Sequence, residues 1–267
     1  MVLSHRSIAT IVGGASLVAI CFILLPPIAQ SPQYHVFADR RTILGVPNFW
    51  NVISNLPFFV AALFGIRALR SPTAFTEPWE RIAFCALLAG TVAVSVGSTY
   101  YHLHPDDRRL FWDRLPMTVV FMSLLATTIG ERVSMSVGKH ALMPLILLGI
   151  GSVLAWRHSG DLRLYAVVQF GTLLAVPLML ALLPARYSGA SSVWCAVVVY
   201  SLAKVAELLD HRIAAVIATG GHPWKHAAAA VAIFVYATGV ARRRPLDIAT
   251  ASPAPLPVAI LSQEAAR

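Results

Sequence analysis

Runs of about twenty apolar residues recur along almost the whole of this chain, and a segment of that kind is suited to crossing a bilayer. They lie at roughly 8–29, 48–68, 80–103, 111–130, 140–156, 162–183, 191–213 and 223–241. The fifth is short and the seventh carries charges. The 267 residues are 57% hydrophobic and only 12% charged, about half the charged share of an ordinary soluble domain. Short connections between the runs leave no room for a soluble domain. The expected fold is therefore all-α: a polytopic transmembrane bundle with a seven-helix core and one extra N-terminal helix. Three regions follow: 1–33, an N-terminal transmembrane helix; 34–241, the seven-helix membrane domain; and 242–267, a Pro- and Ala-rich tail expected to be disordered. The first helix reads as an uncleaved signal anchor, because its apolar stretch is long and no small-x-small cleavage site follows it.

A net charge of +9 raises the question of nucleic acid. The basic residues flank apolar runs in short clusters, without the interleaved aromatics of a nucleic-acid surface. They read as topology determinants and lipid-headgroup contacts. Cys21, Cys85 and Cys195 all sit inside apolar runs, so neither a disulfide framework nor a thiolate metal site follows. Arg67, Arg70 and Arg81 fall on one side with Arg242, Arg243 and Arg244 if eight crossings begin and end in the cytoplasm. The other side carries Arg40, Arg41, Arg108 and Arg109, so the bias is modest. This reading makes the protein a multi-pass component of a bacterial-type inner or plasma membrane.

Helix alternation then gathers polar residues into one layer. Asn51, Ser54 and Asn55 come early in the second run, Ser98 and His102 late in the third, and Asp113 early in the fourth. Lys204, Glu207 and Asp210 come late in the seventh, and His222 and His226 open the eighth. Under the charge assignment this layer lies near the outer face. Polar groups at membrane depth are costly, so each needs a partner or a function.

His222 and His226 in GGHPWKHAAAA are four apart, so on a helix both imidazoles leave one face. That spacing suits two nitrogen ligands of one zinc ion, or two histidines facing headgroups. His102, in GSTYYHLHPDD, would complete the three-histidine set that leaves a fourth position open for water. His104, two residues on, points elsewhere and reads as interfacial. Ser98 lies one turn before His102; its hydroxyl can bond back to its own helix or donate to a developing oxyanion. Asp113, in FWDRLPM, can cap a helix or handle a proton beside a metal. Lys204, Glu207 and Asp210 are spaced to neighbour one another as a bracing ion-pair network. The alternative is a contact of Glu207 or Asp210 with a substrate headgroup.

The order SNLPF, GSxxxH, DRLPM and HxxxH, with eleven residues from His102 to Asp113, resembles the alkaline ceramidases. These belong to a superfamily of seven-helix membrane hydrolases that includes the adiponectin-receptor type. The resemblance covers about 34–241 and leaves the first helix as an addition. It implies zinc ligands His102, His222 and His226, with Ser98 and Asp113 as catalytic residues beside the metal and its water. The implied reaction cuts the amide bond of a ceramide-like lipid to a sphingoid base and a fatty acid. Membrane lipids are the other expected partners, and nucleic acid is not one. Some members of the family also carry a regulatory calcium. Here Asp39 is the only carboxylate of HVFADRRTILGVPNFWN, and Asn48 falls where the family can place a glutamate. Calcium prefers six to eight oxygens, so Asp39 and Asn48 beside Arg40 and Arg41 make a poor cage. Asp39 could instead pair with a neighbouring arginine. A zinc-containing lipid sensor of the receptor type is the rival reading. A transporter lacks its broken-helix pair, and a serine hydrolase lacks its nucleophile elbow.

Overall fold

A computed structural model describes residues 26–246, together with Gly13, Gly14 and Leu24. Most of the expected first helix, with Cys21, and the tail beyond residue 246 lie outside the described residues. Among the described residues seven helices are long and apolar enough to cross a membrane. They are α1 (Phe49–Arg70), α2 (Pro78–Leu103), α3 (Asp107–Arg132), α4 (Met135–Ser159), α5 (Arg163–Leu182), α6 (Ala190–Leu208) and α7 (His222–Arg242). The protein is an all-α transmembrane bundle. Leu147, Leu154, Val198 and Leu202 stand exposed on its outside, while Thr91, Ser95, Thr118, Ser123 and Thr127 are buried within it. Apolar side chains facing outward along the spans suit an apolar solvent.

The helix expected at 140–156 runs longer, from Met135 to Ser159, and the one expected at 191–213 is broken. The helix ends at Leu208, and a separate turn covers Asp210–Ile213. Asp210 opens the second piece; its Oδ1 accepts from the backbone N–H groups of Gly221 (2.8 Å) and His222 (2.9 Å) and its Oδ2 from that of Ala38 (2.9 Å). These bonds tie the break after α6 to the strap and to the start of α7.

Helices α2 and α3 pack tightly along their length, and one contact sets their closest approach. Pro116 lies inside α3, and proline removes the hydrogen bond to the carbonyl four residues back. That carbonyl belongs to Trp112. It presses against Gly97 of α2, where a Cβ would stand 2.0 Å from the Trp112 oxygen. Only glycine fits there, and the small residue lets the two backbones meet. The α3–α4 seam repeats the device lower down, where a Cβ on Gly138 would lie 2.6 Å from Gly130 Cα.

The segment before α1 forms a strap across one end of the bundle. Tyr34 donates to Glu207 (3.1 Å), and His35 bridges the Tyr101 hydroxyl (2.9 Å) and Asp107 (3.0 Å). Arg41 donates to the carbonyl of Ala218 (3.2 Å). Asp161, at the turn into α5, ties down the start of the strap by accepting from the Ile28 N–H (3.2 Å). At the opposite end, Arg243 bonds Glu80 (3.0 Å), Glu131 and the Ala74 carbonyl (2.6 Å), and Tyr187 donates to Glu80 (2.8 Å).

Two outcomes are expected. Gly97→Ala should destabilise the protein by about 1–3 kcal/mol, the usual cost of overpacking, read as a lower melting temperature in detergent. The Arg163 side chain and the backbone N–H groups of Arg163 and Ile28 hold the Asp161 carboxyl down to about 2. A lowered folded pKa contributes stability that is full above the unfolded value and is lost as the pH falls through the folded one. The melting-temperature advantage of wild type over Asp161→Asn should therefore be constant above about pH 4 and fade as the pH falls towards 2.

Candidate metal centre

The strapped end of the bundle holds the polar layer anticipated from helix alternation. His102 ends α2, and His222 and His226 open α7. Their ring centroids form a nearly equilateral triangle, with sides of 4.9 Å (His102–His222), 4.8 Å (His102–His226) and 4.9 Å (His222–His226). Each ring offers a nitrogen, and these nitrogens all lie within 4.8 Å of one another. The three residues are 0%, 4% and 2% exposed.

Buried polar atoms are nearly always hydrogen-bonded. Here both ring nitrogens of His102, Nε2 of His222 and Nε2 of His226 are buried without a hydrogen-bond partner. Three convergent imidazoles with vacant nitrogens match the donor set of an open zinc site. No other group of three or more His, Cys, Asp or Glu with this geometry occurs among the described residues.

The surroundings orient the rings. Nδ1 of His226 meets Ser54 Oγ at 2.8 Å, and that hydroxyl donates to the carbonyl of Asn51 at 3.2 Å. With the Ser54 proton committed to Asn51, Nδ1–H of His226 is the donor and the Nε2 lone pair is left free, as metal-ligating histidines require. Phe37 of the strap lies over His102 (4.7 Å) and His222 (4.5 Å) and is 4% exposed. The carbonyl of His102 accepts from the Asn48 side chain at 2.9 Å.

Asp113 and Ser98 are both buried, with their side chains neighbouring one another. Asp106 caps α3, and Asp113 stands about two turns further in, so the capping alternative falls away. The contact with Ser98 follows from the Gly97–Trp112 crossing, since each residue is the next along its own helix. His104 is exposed at the end of α2.

Asp113 and His226 line one cavity that runs down the bundle between α2, α3, α5, α6 and α7. Its polar end also holds Lys204 and Lys225. Both bond the carboxylate of Glu207, Lys225 at 2.8 Å. The bracing network thus gains Lys225 from α7 and Tyr34 from the strap, while Asp210 serves backbone groups elsewhere. Beside Asp113, the Arg114 guanidinium is caged by the rings of Trp156 (4.5 Å), Tyr165 (4.8 Å) and Tyr34 (5.3 Å).

Asp39 spends both carboxylate oxygens on Arg41, at 2.8 and 2.9 Å. Burial works to raise its pKa, but the hydrogen bonds and charge of Arg41 outweigh this and hold it below the ordinary carboxylate range. The arginine pairing that the sequence offered as the alternative to calcium is the contact present. Sequence reasoning did not single out Phe37 or Lys225. Lys225 sits between the two histidines of HPWKH, and that position was the available signal.

A family model described as Ceramidase matches residues 44–244, well over half of the chain. A search of curated proteins finds no match. The matched region takes in all seven helices and every residue of the imidazole layer. The chain therefore belongs to the ceramidase family and is a hydrolase acting on the amide bond of ceramide.

Proposed function

We propose that the protein is a zinc-dependent intramembrane ceramidase in which His102, His222 and His226 hold the metal and Ser98 and Asp113 carry the chemistry. The observation that supports this most directly is the set of buried, partnerless imidazole nitrogens facing one another. Zinc at such a site supplies Lewis acidity and acidifies water to near neutral pH.

The chain's own residues do the rest. Asp113 takes the proton of the attacking water and delivers it to the amide nitrogen as the C–N bond breaks. The products are a free sphingoid base and a fatty acid, and one water is consumed. Ser98 fixes the Asp113 carboxylate before the reaction and donates to the carbonyl oxygen as charge develops on it. Ser54 sets the tautomer and aim of His226. Phe37 and the strap shield the layer from bulk water, which strengthens every electrostatic contact inside. The apolar cavity accepts hydrocarbon chain directly from the bilayer. The arginines at 67, 70, 81 and 242–244 lie at the end away from the imidazoles. On the positive-inside rule these arginines favour a site near the outer face of a bacterial-type plasma membrane, against a smaller cluster of Arg40, Arg41, Arg108 and Arg109 at the imidazole end.

Metal analysis and a ceramide hydrolysis assay on purified protein test the reading. His222→Ala should lose both bound zinc and turnover. Asp113→Asn should keep zinc and lose at least about 100-fold in turnover. Undiminished hydrolysis after exhaustive chelation would remove the metal from the mechanism.

A further inference from the structure

The cavity that begins at His226 and Asp113 has a floor. Its lining on α7 follows one helical face, from His226 through Ala229 and Ala232 to Tyr236. Ten residues of helix cover about 15 Å. That is half of a hydrocarbon core about 30 Å thick, the depth of one lipid chain in one leaflet. Small side chains at Ala229 and Ala232 leave the channel open, and the ring of Tyr236 ends it.

A second pocket lies beyond. It is lined by Glu131, Arg132, Tyr187, Arg243 and others, and it shares two lining residues with the first: Val193 and Tyr236. Those two side chains therefore partition the two spaces. Tyr236 is 7% exposed, packs on Phe84 at 6.3 Å, and its hydroxyl meets Thr127 Oγ1 at 3.4 Å. The ring is buried between α2, which carries Phe84, and α3, which carries Thr127. Past it stand Arg243 and its carboxylate partners, which an alkyl chain could reach only by displacing a buried ion-pair network.

We propose that Tyr236, with Val193, is the specificity-determining floor of the chain-binding channel and sets the longest hydrocarbon chain that this ceramidase accepts on the metal-proximal side of the bundle. The proposal rests on the imidazole layer being the site of hydrolysis. The chain in the channel belongs to the acyl group or to the sphingoid base; both are unbranched hydrocarbon leading away from the same amide.

The test is a competition assay with zinc-loaded full-length protein and two ceramide series. One varies acyl length on a fixed base, and the other varies base length on a fixed acyl group. Wild type should show a sharp upper limit in one series, and that series names the chain. Tyr236→Ala should move the limit to longer chains, raising the long-to-short turnover ratio about tenfold, the weight of roughly two buried methylenes. Ala232→Leu, one turn nearer the imidazoles, should move it to shorter chains. Tyr236→Phe, which keeps the ring, should hold the wild-type limit. A wild type with no upper limit in either series overturns the floor, as does an unmoved limit in whichever of Tyr236→Ala and Ala232→Leu folds. A wild type that cleaves no ceramide removes the underlying site assignment instead, and the two failures are distinguishable in one experiment.

Discussion

Two glycine-to-carbonyl crossings hold the polar layer together. In α2, Gly97 lies so close to the Trp112 carbonyl that a Cβ would fall 2.0 Å from its oxygen; at the start of α7, a Cβ on Gly221 would fall 2.2 Å from the Ala206 oxygen. Each glycine immediately precedes a residue of the site, Ser98 in one case and His222 in the other. Backbones in such contact fix neighbouring side chains far more tightly than side-chain packing would, because nothing flexible lies between them. Catalytic geometry depends on that kind of rigidity in the elements that carry the reacting groups. The proline of DRLPM belongs to the same device, since it frees the carbonyl that meets Gly97.

Two groups of charges inside the bundle form closed sets. Lys204, Lys225 and Tyr34 converge on Glu207 near the imidazoles, and Arg243 gathers Glu80 and Glu131 at the far end. Isolated charges at such depth would be expensive, whereas mutually bonded ones are tolerated. The imidazole layer differs: both ring nitrogens of His102, Nε2 of His222 and Nε2 of His226 have no hydrogen-bond partner within the chain. Four such nitrogens converging from three buried rings are what a ligand site looks like before its ligand is considered.

The strap and the channel divide the two phases that a lipid amidase must bring together. Phe37 and its neighbours cover the imidazoles at the polar end, while the apolar space extends down the bundle to Tyr236. A long-chain substrate can lie in hydrocarbon along its length and present only its amide to the polar layer.

Much of this was legible in the residues alone. Apolar runs as long as the bilayer is thick determine the spans, because any other placement would strand apolar surface or backbone hydrogen bonds. Alternation of direction then puts His102, His222, His226, Ser98 and Asp113 at one end. What only the tertiary structure decided are the contacts between segments far apart in sequence. Asp210 reads as part of an ion-pair network and is instead an acceptor for backbone N–H groups, because the donors that reach it lie on Ala38, Gly221 and His222. Ser54 finds Nδ1 of His226, Phe37 finds two imidazoles, and Tyr236 divides two cavities. Local spacing constrains which face of a helix a side chain leaves, but which neighbour stands opposite is set by the packing of the other helices.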